Sequence, residues 1–196
     1  MQQDIAEVLI DRQTIAGRVQ HLAEQITRDL TAKTGADKGL GPSDGIELTL
    51  VPILSGSFMF VADLIRYLPV RMRIRMLAVS SYADGATRSR GARLVKQLTN
   101  LPADLHGCHV LLIDDILDSG STLRLAMELL EQRNPASLHT CVLLRKKRPE
   151  AMAVAVDYVA FDIPDQFIVG YGLDYDDYYR NLPDIVTLRP EVFREQ

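Results

Sequence analysis

The segment VLLIDDILDSGSTL, Val110 to Leu123, gathers three carboxylates and three hydroxyls around one glycine. An apolar run from Val110 to Ile113 leads into Asp114 and Asp115. Asp118 follows, and then Ser119-Gly120-Ser121-Thr122 open a helical pattern. Hydroxyls and a glycine at a helix start suit an anion: free backbone N–H groups point outward, the helix dipole favours negative charge, and glycine lets the backbone approach closely. A monophosphate fits such a pocket. A Walker A loop is excluded, because no Gly-Lys-Ser/Thr is present. The paired acids would repel a phosphate, but they suit a cis-diol, whose hydroxyls donate to carboxylates, or a hydrated Mg²⁺. Diol and phosphate recognition a few residues apart describes a ribose 5-phosphate. Taken singly, these residues also have plain structural readings, as N-caps or turn formers. The whole string in order is what those readings leave unexplained.

The elements that must position these groups follow from hydrophobic spacing. After a short apolar stretch, Val8 to Ile10, residues Ile15, Val19, Leu22, Ile26 and Leu30 recur at steps of three and four, the face of a helix capped by Asp11. Thr34 to Asp44 reads as a loop. Ile46 to Leu54 is nearly continuously apolar, as in a strand buried on both faces. Ser55-Gly56-Ser57 breaks it, and Phe58 to Tyr67 reads as a helix. From Val70 to Met76 apolar residues alternate with arginines, predicting a strand with one solvated side. Ser80 to Gly91 is expected to be a long, mobile loop, of a length that is usually functional or disordered. Val110 to Ile113 predicts a buried strand, Asp114 to Gly120 a turn, and Ser121 to Arg133 a helix. Leu138 to Leu144, Asp157 to Ile163 and Phe167 to Tyr171 are further expected strands. This alternation implies an α/β fold, a mostly parallel twisted sheet flanked by helices. Ligands then bind at the carboxyl ends of the strands, where Ser55-Gly56, Asp114 to Thr122 and Lys146 all fall.

A chain of 196 residues with no internal repeat or linker suits a single domain, 1–196. The formal charge of −4 argues against a nucleic-acid partner held by phosphate contacts, while leaving room for a small anionic substrate. Cys108 and Cys141 lie beside apolar strands without metal-like spacing and read as small hydrophobes, in keeping with a reducing, cytoplasmic setting. The start, MQQDIAEVLIDRQ, lacks a signal-peptide pattern, and no apolar run approaches the roughly 18 residues that span a bilayer. No membrane partner is expected.

The Val110 to Leu123 string resembles the phosphoribosyl-pyrophosphate signature of type I phosphoribosyltransferases. The resemblance implies that Asp114 and Asp115 hold the ribose hydroxyls and organise Mg²⁺. It places Asp118 near the purine N7 and Ser119, Gly120, Ser121 and Thr122 around the 5′-phosphate. Other segments resemble the hypoxanthine-guanine branch. LSGSFMFVADLI is similar to its pyrophosphate loop, which implies pyrophosphate contacts at Ser55 and Gly56. AVSSY is similar to the start of its active-site loop, which implies closure by Ser81 and Tyr82. VDYVAFDIPDQFIVGYGLDYDDYYRNLP is similar to its base-binding hood, formed by terminal segments. The same resemblance has Lys146 donate to the purine O6, Phe167 stack on the ring, and backbone near Ile168 and Asp174 read the opposite edge. Asp174 would support a second Mg²⁺, and Arg180 would contact pyrophosphate. The implied activity is purine salvage: phosphoribosyl transfer from phosphoribosyl pyrophosphate to N9 of hypoxanthine or guanine, giving IMP or GMP. The implied catalytic residues are Asp118, Lys146 and Arg180, and the implied assembly is a dimer or tetramer.

Chemistry agrees with these roles. An ammonium at O6 accepts an oxopurine and disfavours adenine, which carries an amino group there. An aromatic face under a base is worth about 1–3 kcal/mol in single-strand binders. Taken alone, Phe167 would read as core and Arg145 to Arg148 as a solvated basic run. Two departures stand out: Ser55 where the family often has lysine, and Arg145 where it often has an acid. The competing readings are an RNA-binding regulator on the same fold, a transferase for xanthine, adenine or a pyrimidine, and a generic nucleotide-binding domain. The last leaves the acid pair and Asp118 without a role.

Overall fold

The apolar runs expected to be strands become the middle of a parallel sheet, and their side chains show why. A computed structural model describes residues 1–34, 47–81, 92–94 and 99–193. In chain order its elements are β1 (Ile5–Ile10), α1 (Arg12–Thr34), β2 (Glu47–Leu54), α2 (Phe58–Leu64), β3 (Arg71–Ile74), β4 (Leu77–Ser81), β5 (Ala92–Leu94), β6 (His109–Leu117), α3 (Ser121–Glu131), β7 (Ser137–Lys146), α4 (Pro149–Met152), β8 (Tyr158–Ile163) and β9 (Ile185–Leu188). Among the described residues the main sheet has seven strands in the order β5-β4-β2-β6-β7-β8, with β3 pairing to β2 beside β4. All its ladders are parallel except β4 with β5.

Successive side chains of a strand face opposite ways, so each central strand feeds two cores. Leu48 and Leu50 of β2, Leu111 and Ile113 of β6 and Cys141 and Leu143 of β7 pack under α1 and α2. Val51 and Ile53, Val110 and Leu112, and Val142 pack under α3 and α4. The α1 stripe, Ile15, Val19, Leu22, Ile26 and Leu30, is buried as its spacing predicts. Asp11 caps that helix, accepting from the amides of Gln13 and Thr14 at 2.9 Å each. Cys141 is fully buried and its thiol is pushed up by that burial, which fits its reading as a small hydrophobe. Among the described residues no helix is long and apolar enough to cross a membrane.

Several expectations need correction. Asp114 to Leu117 are strand, not turn: β6 keeps pairing with β7 through Ile116↔Leu144 and Leu117↔Arg145, so the ladder holds the acid pair extended. Residues 167–171 form no strand. Only isolated bridges, Val169↔Val186 and Gly170↔Leu173, are left there, because Gly170 (φ 96°) and Tyr171 (φ 50°) leave the extended region. The alternating Val70 to Met76 run yields only the short strand β3, Arg71–Ile74, and Ile74 and Met76 are exposed where buried residues were expected. The start of the supposed long loop is the end of strand β4, because Ser80 and Ser81 pair with Arg93 and Ala92 of β5. Most of the expected 34–44 loop and residues 82–91 lie outside the described residues. Three further strands, β1, β5 and β9, had not been foreseen. β1 and β9 bring the two ends of the chain together as an antiparallel pair, with Val169, Val186 and Leu188 forming a small core beneath.

Candidate functional site

The carboxyl end of β6 delivers Asp114 and Asp115 to the sheet edge, and the chain then turns through residues 118–120 into α3. Gly120 sits at φ 77°, a left-handed conformation natural to glycine, and a Cβ there would also meet Val154 at 2.5 Å. The turn is braced from within, since Ser119 Oγ donates to Ser121 Oγ at 3.1 Å and Arg124 donates to the Ser119 carbonyl at 2.7 Å. Asp114 and residues 116–123 line one small cleft of about 50 Å³. Asp114, Asp118 and the hydroxyl turn therefore share one cleft, while Asp115 lines the neighbouring one.

Asp114 is buried, and burial pushes its carboxyl well above the usual carboxylate range, with repulsion from Asp115 adding to the effect. Burial raises Asp115 as well, opposed by hydrogen bonds from its neighbour and by the positive field of Arg180. Two carboxylates held together away from water repel each other and tend to share a proton. A diol donating two hydroxyls, or a hard cation, would relieve that cost.

Beside this cleft, and sharing Ile116 and Asp118 with it, lies a second one of about 200 Å³. Asp115, Lys146, Phe167, Ile168, Leu173 and Asp174 complete its wall. Lys146, the last residue of β7, is only 9% exposed, which a lysine tolerates when paired. Its ammonium lies 3.3 Å from Asp118 Oδ2 and 3.4 Å from Asp165 Oδ1. Phe167 is not core: it is 48% exposed and stands edge-on to Tyr175 and Phe193, with ring centroids 5.6 and 5.4 Å away. An aromatic face braced from behind and open in front is a platform for a flat ring. Ile168 is buried at the back of the same wall.

Gly56 closes the site from the β2 side. A Cβ on it would lie 1.8 Å from Asp115 Oδ2, and a Cβ on Gly172 would lie 2.1 Å from the Gly56 carbonyl. The loop after β2, the acid pair and the tail of the chain are thus stacked in direct contact, and both glycines are required for space. Ser55 is exposed beside them, and Phe58 N donates back to its carbonyl at 3.3 Å. Arg180 ties the tail together, donating to the Gly172 carbonyl at 2.9 Å and pairing with Asp174 at 2.8 Å and Asp177 at 3.0 Å. Ser81 ends β4, and Tyr82 lies outside the described residues. Arg145 turns away from the site: it meets Asp162 on β8, its direct ladder partner, through bonds of 2.6 and 3.1 Å. That strand-to-strand ion pair gives Arg145 a structural partner away from the clefts.

Sequence reasoning missed Gly172, Arg148, Asp165, Tyr175 and Phe193 as parts of this region. Gly172 and Tyr175 lay within the quoted tail, but nothing in their spacing indicates what they pack against. Arg148 was counted only in a basic run.

Among the described residues no three His, Cys, Asp or Glu side chains gather as a metal cage. The donor set nonetheless suits Mg²⁺, which keeps most of its waters and typically takes one or two protein carboxylates plus substrate phosphates. Asp114 and Asp115 offer adjacent hard oxygens held at a cost by burial, and Asp174 lines the wall shared with Asp115.

A model of the phosphoribosyl transferase domain matches residues 7–176. The hypoxanthine-guanine phosphoribosyltransferase of Mycobacterium tuberculosis is 42% identical over 194 residues, covering 97% of this chain and 90% of that protein. The enzyme of the same name from Dictyostelium discoideum is 42% identical over 192 residues, covering 96% and 98%. A solved structure of a variant hypoxanthine phosphoribosyltransferase from Trypanosoma cruzi, complexed with the product IMP, superposes with a TM-score of 0.83 at 40% identity, covering 98% of this chain and 95% of that one.

Proposed function

The chain belongs to the phosphoribosyl transferase domain family, and from that premise we propose that it performs purine salvage. In this reading it moves the 5-phosphoribosyl group of phosphoribosyl pyrophosphate to N9 of hypoxanthine or guanine, giving IMP or GMP and pyrophosphate. The observation that carries the reading is the pair of adjoining clefts, one walled by Asp114 and the hydroxyl turn, the other by Lys146 and Phe167, with Asp118 between them.

In this reading Ser119, Gly120, Ser121 and Thr122 bind the 5′-phosphate, using the backbone N–H groups at the start of α3. Asp114 and Asp115 accept from the ribose hydroxyls. Phe167 carries the base, Lys146 donates to its O6, and backbone at Ile168 and Asp174 reads the far edge. Asp118 takes the N7 proton as N9 attacks the anomeric carbon, a role typically worth 10²–10⁴-fold. The transition state has oxocarbenium character, as in other glycosyl chemistry. Ser55, Gly56 and Arg180 face the leaving pyrophosphate. Mg²⁺, held by Asp114, Asp115 and Asp174, would supply neutralising charge to that group. Ser81 and Tyr82 are assigned to the loop that covers the reacting atoms.

The proposal treats residues 1–196 as a single domain in which the terminal segments, bearing β1 and β9, make a hood over the base cleft. It includes a homo-oligomer, dimer or tetramer. The exposed apolar side chains of Phe58, Tyr67 and Met76 support an assembled state. The test of the activity is direct. Incubated with phosphoribosyl pyrophosphate, Mg²⁺ and each base in turn, the protein should form nucleotide from hypoxanthine or guanine and little from adenine or uracil. No nucleotide from any oxopurine would end the reading.

A further inference from the structure

Asp118 is held by two cations, and only one of them has been given a role. Arg148 Nη1 lies 2.6 Å from Asp118 Oδ1, whereas Lys146 Nζ lies 3.3 Å from the other oxygen, Oδ2. The two contacts divide the carboxylate between them. Lys146 is also drawn toward Asp165 Oδ1 at 3.4 Å, while Arg148 reaches that oxygen only at 3.9 Å. On its far side Arg148 Nε meets Glu150 at 3.3 Å.

The backbone holds Arg148 in place for this contact. Pro149 follows it and restricts it to the extended region, where it lies at φ −129°, ψ 151°. Its N–H donates to the Lys146 carbonyl at 2.8 Å, and its own carbonyl accepts from Met152 at 3.0 Å in the first turn of α4. Lys146 and Arg148, two residues apart, thus approach one carboxylate from a single tight bend. Of the basic run, Arg145 serves the sheet and Lys147 is exposed.

Resting on the transferase reading above, we propose that Arg148 is a positioning residue for proton transfer. It holds Oδ1 of Asp118, so that Oδ2 becomes the proton acceptor once Lys146 leaves it for the O6 of the base. The C1′–N9 bond forms as the C1′–oxygen bond breaks. Pyrophosphate departs with that electron pair, and the N7 proton passes to Oδ2 and then to solvent. Without Arg148 the carboxylate would lose both partners when a base binds and could rotate about its Cβ–Cγ bond. A partly exposed ion pair contributes little to stability, so the residue's effect should appear in the chemical step and not in folding.

Single-turnover rates and melting temperatures of the wild type, Arg148→Ala, Arg148→Lys and Asp118→Asn, with and without Arg148→Ala, test this. Arg148→Ala should slow the chemical step on the order of tenfold, a fraction of what a proton acceptor supplies. The KM for phosphoribosyl pyrophosphate should hold within about twofold, and the melting temperature within about 2 °C, as for a partly exposed ion pair. Arg148→Lys should recover most of the rate, because the contact is a single N–H···O. In the Asp118→Asn background, removing Arg148 should cost nothing further. An Arg148→Ala rate equal to wild type, or an equal loss in the Asp118→Asn background, would overturn the inference while leaving the transferase reading intact. A wild type that forms no nucleotide would overturn both.

Discussion

Asp114→Asn should make the ligand-free protein more stable while making it a worse binder of its sugar phosphate. The substitution keeps the shape of the side chain and the oxygen that accepts from the Asp115 amide at 3.1 Å. What it removes is one of two adjacent acids, both raised by burial, Asp114 well above the ordinary range. A carboxyl whose folded-state pKa exceeds its unfolded value, about 3.9, stabilises the fold fully below that value. This contribution is lost as pH rises through the raised pKa, at about 1.4 kcal/mol per unit of difference. At neutral pH and above, the wild type therefore carries an electrostatic penalty that the amide lacks.

Removing the charge of a buried carboxyl beside a second acid should be worth about 1–3 kcal/mol, the order of the desolvation penalty of a buried polar group. At roughly 2–4 °C per kcal/mol for a chain of this size, Asp114→Asn should melt about 2–12 °C higher than wild type near pH 8. The gap should close toward pH 4. Binding should go the other way. Losing a charged acceptor for the ribose hydroxyls costs about 1.5–3 kcal/mol, or roughly 10- to 150-fold in the Kd of phosphoribosyl pyrophosphate with Mg²⁺. Thermal melts from pH 4 to 8.5 without ligand, paired with calorimetric titrations, read both effects. A variant no more stable than wild type at pH 8, or a gap that does not change with pH, would refute the idea that the ligand-free protein holds the acid pair at a cost.

Three other substitutions probe the neighbouring parts. Asp118→Asn should slow the single-turnover rate by about 10²–10⁴-fold while changing sugar-phosphate affinity far less; an unchanged rate removes Asp118 from the proton-acceptor role. Lys146→Ala should narrow the preference for oxopurines over adenine, read as a ratio of kcat/KM values, and an unaltered ratio counts against the O6 contact. Gly56→Ala should displace the Asp115 carboxylate, which a Cβ would meet at 1.8 Å, and abolish binding of phosphoribosyl pyrophosphate with far-UV circular dichroism preserved. Wild-type affinity in that variant would mean that the loop after β2 does not press on the acid pair in solution.

Much of this was legible in the residues because the central strands and helices answer to local rules. The α1 stripe and its Asp11 cap follow from spacing, as do the double-sided apolar runs of β2, β6 and β7. The parts that were not legible depend on partners far along the chain. Strand β1 is defined by β9, separated from it by nearly the whole sequence. The expected turn at Asp114 is strand because β7 is there to pair with it. Asp and Gly predict turns when the chain is considered alone, but in a parallel ladder the neighbouring strand decides where extension stops.

The same distinction applies within the site. A motif can identify Asp118 as a proton acceptor, since its type and place in the string are local. It cannot say which cation meets which of its two oxygens, because that depends on Lys146 and Arg148, reaching it from the next strand end. The basic run Arg145 to Arg148 has one composition and, in the structure, separate destinations. Arg145 crosses to β8, while Lys146 and Arg148 converge on one carboxylate. Strand alternation sends residues 145 and 146 to opposite faces, and the bend enforced by Pro149 returns residue 148 to the side of 146. Pro149 thus helps to hold the bend from which Arg148, and not Arg145, reaches Asp118.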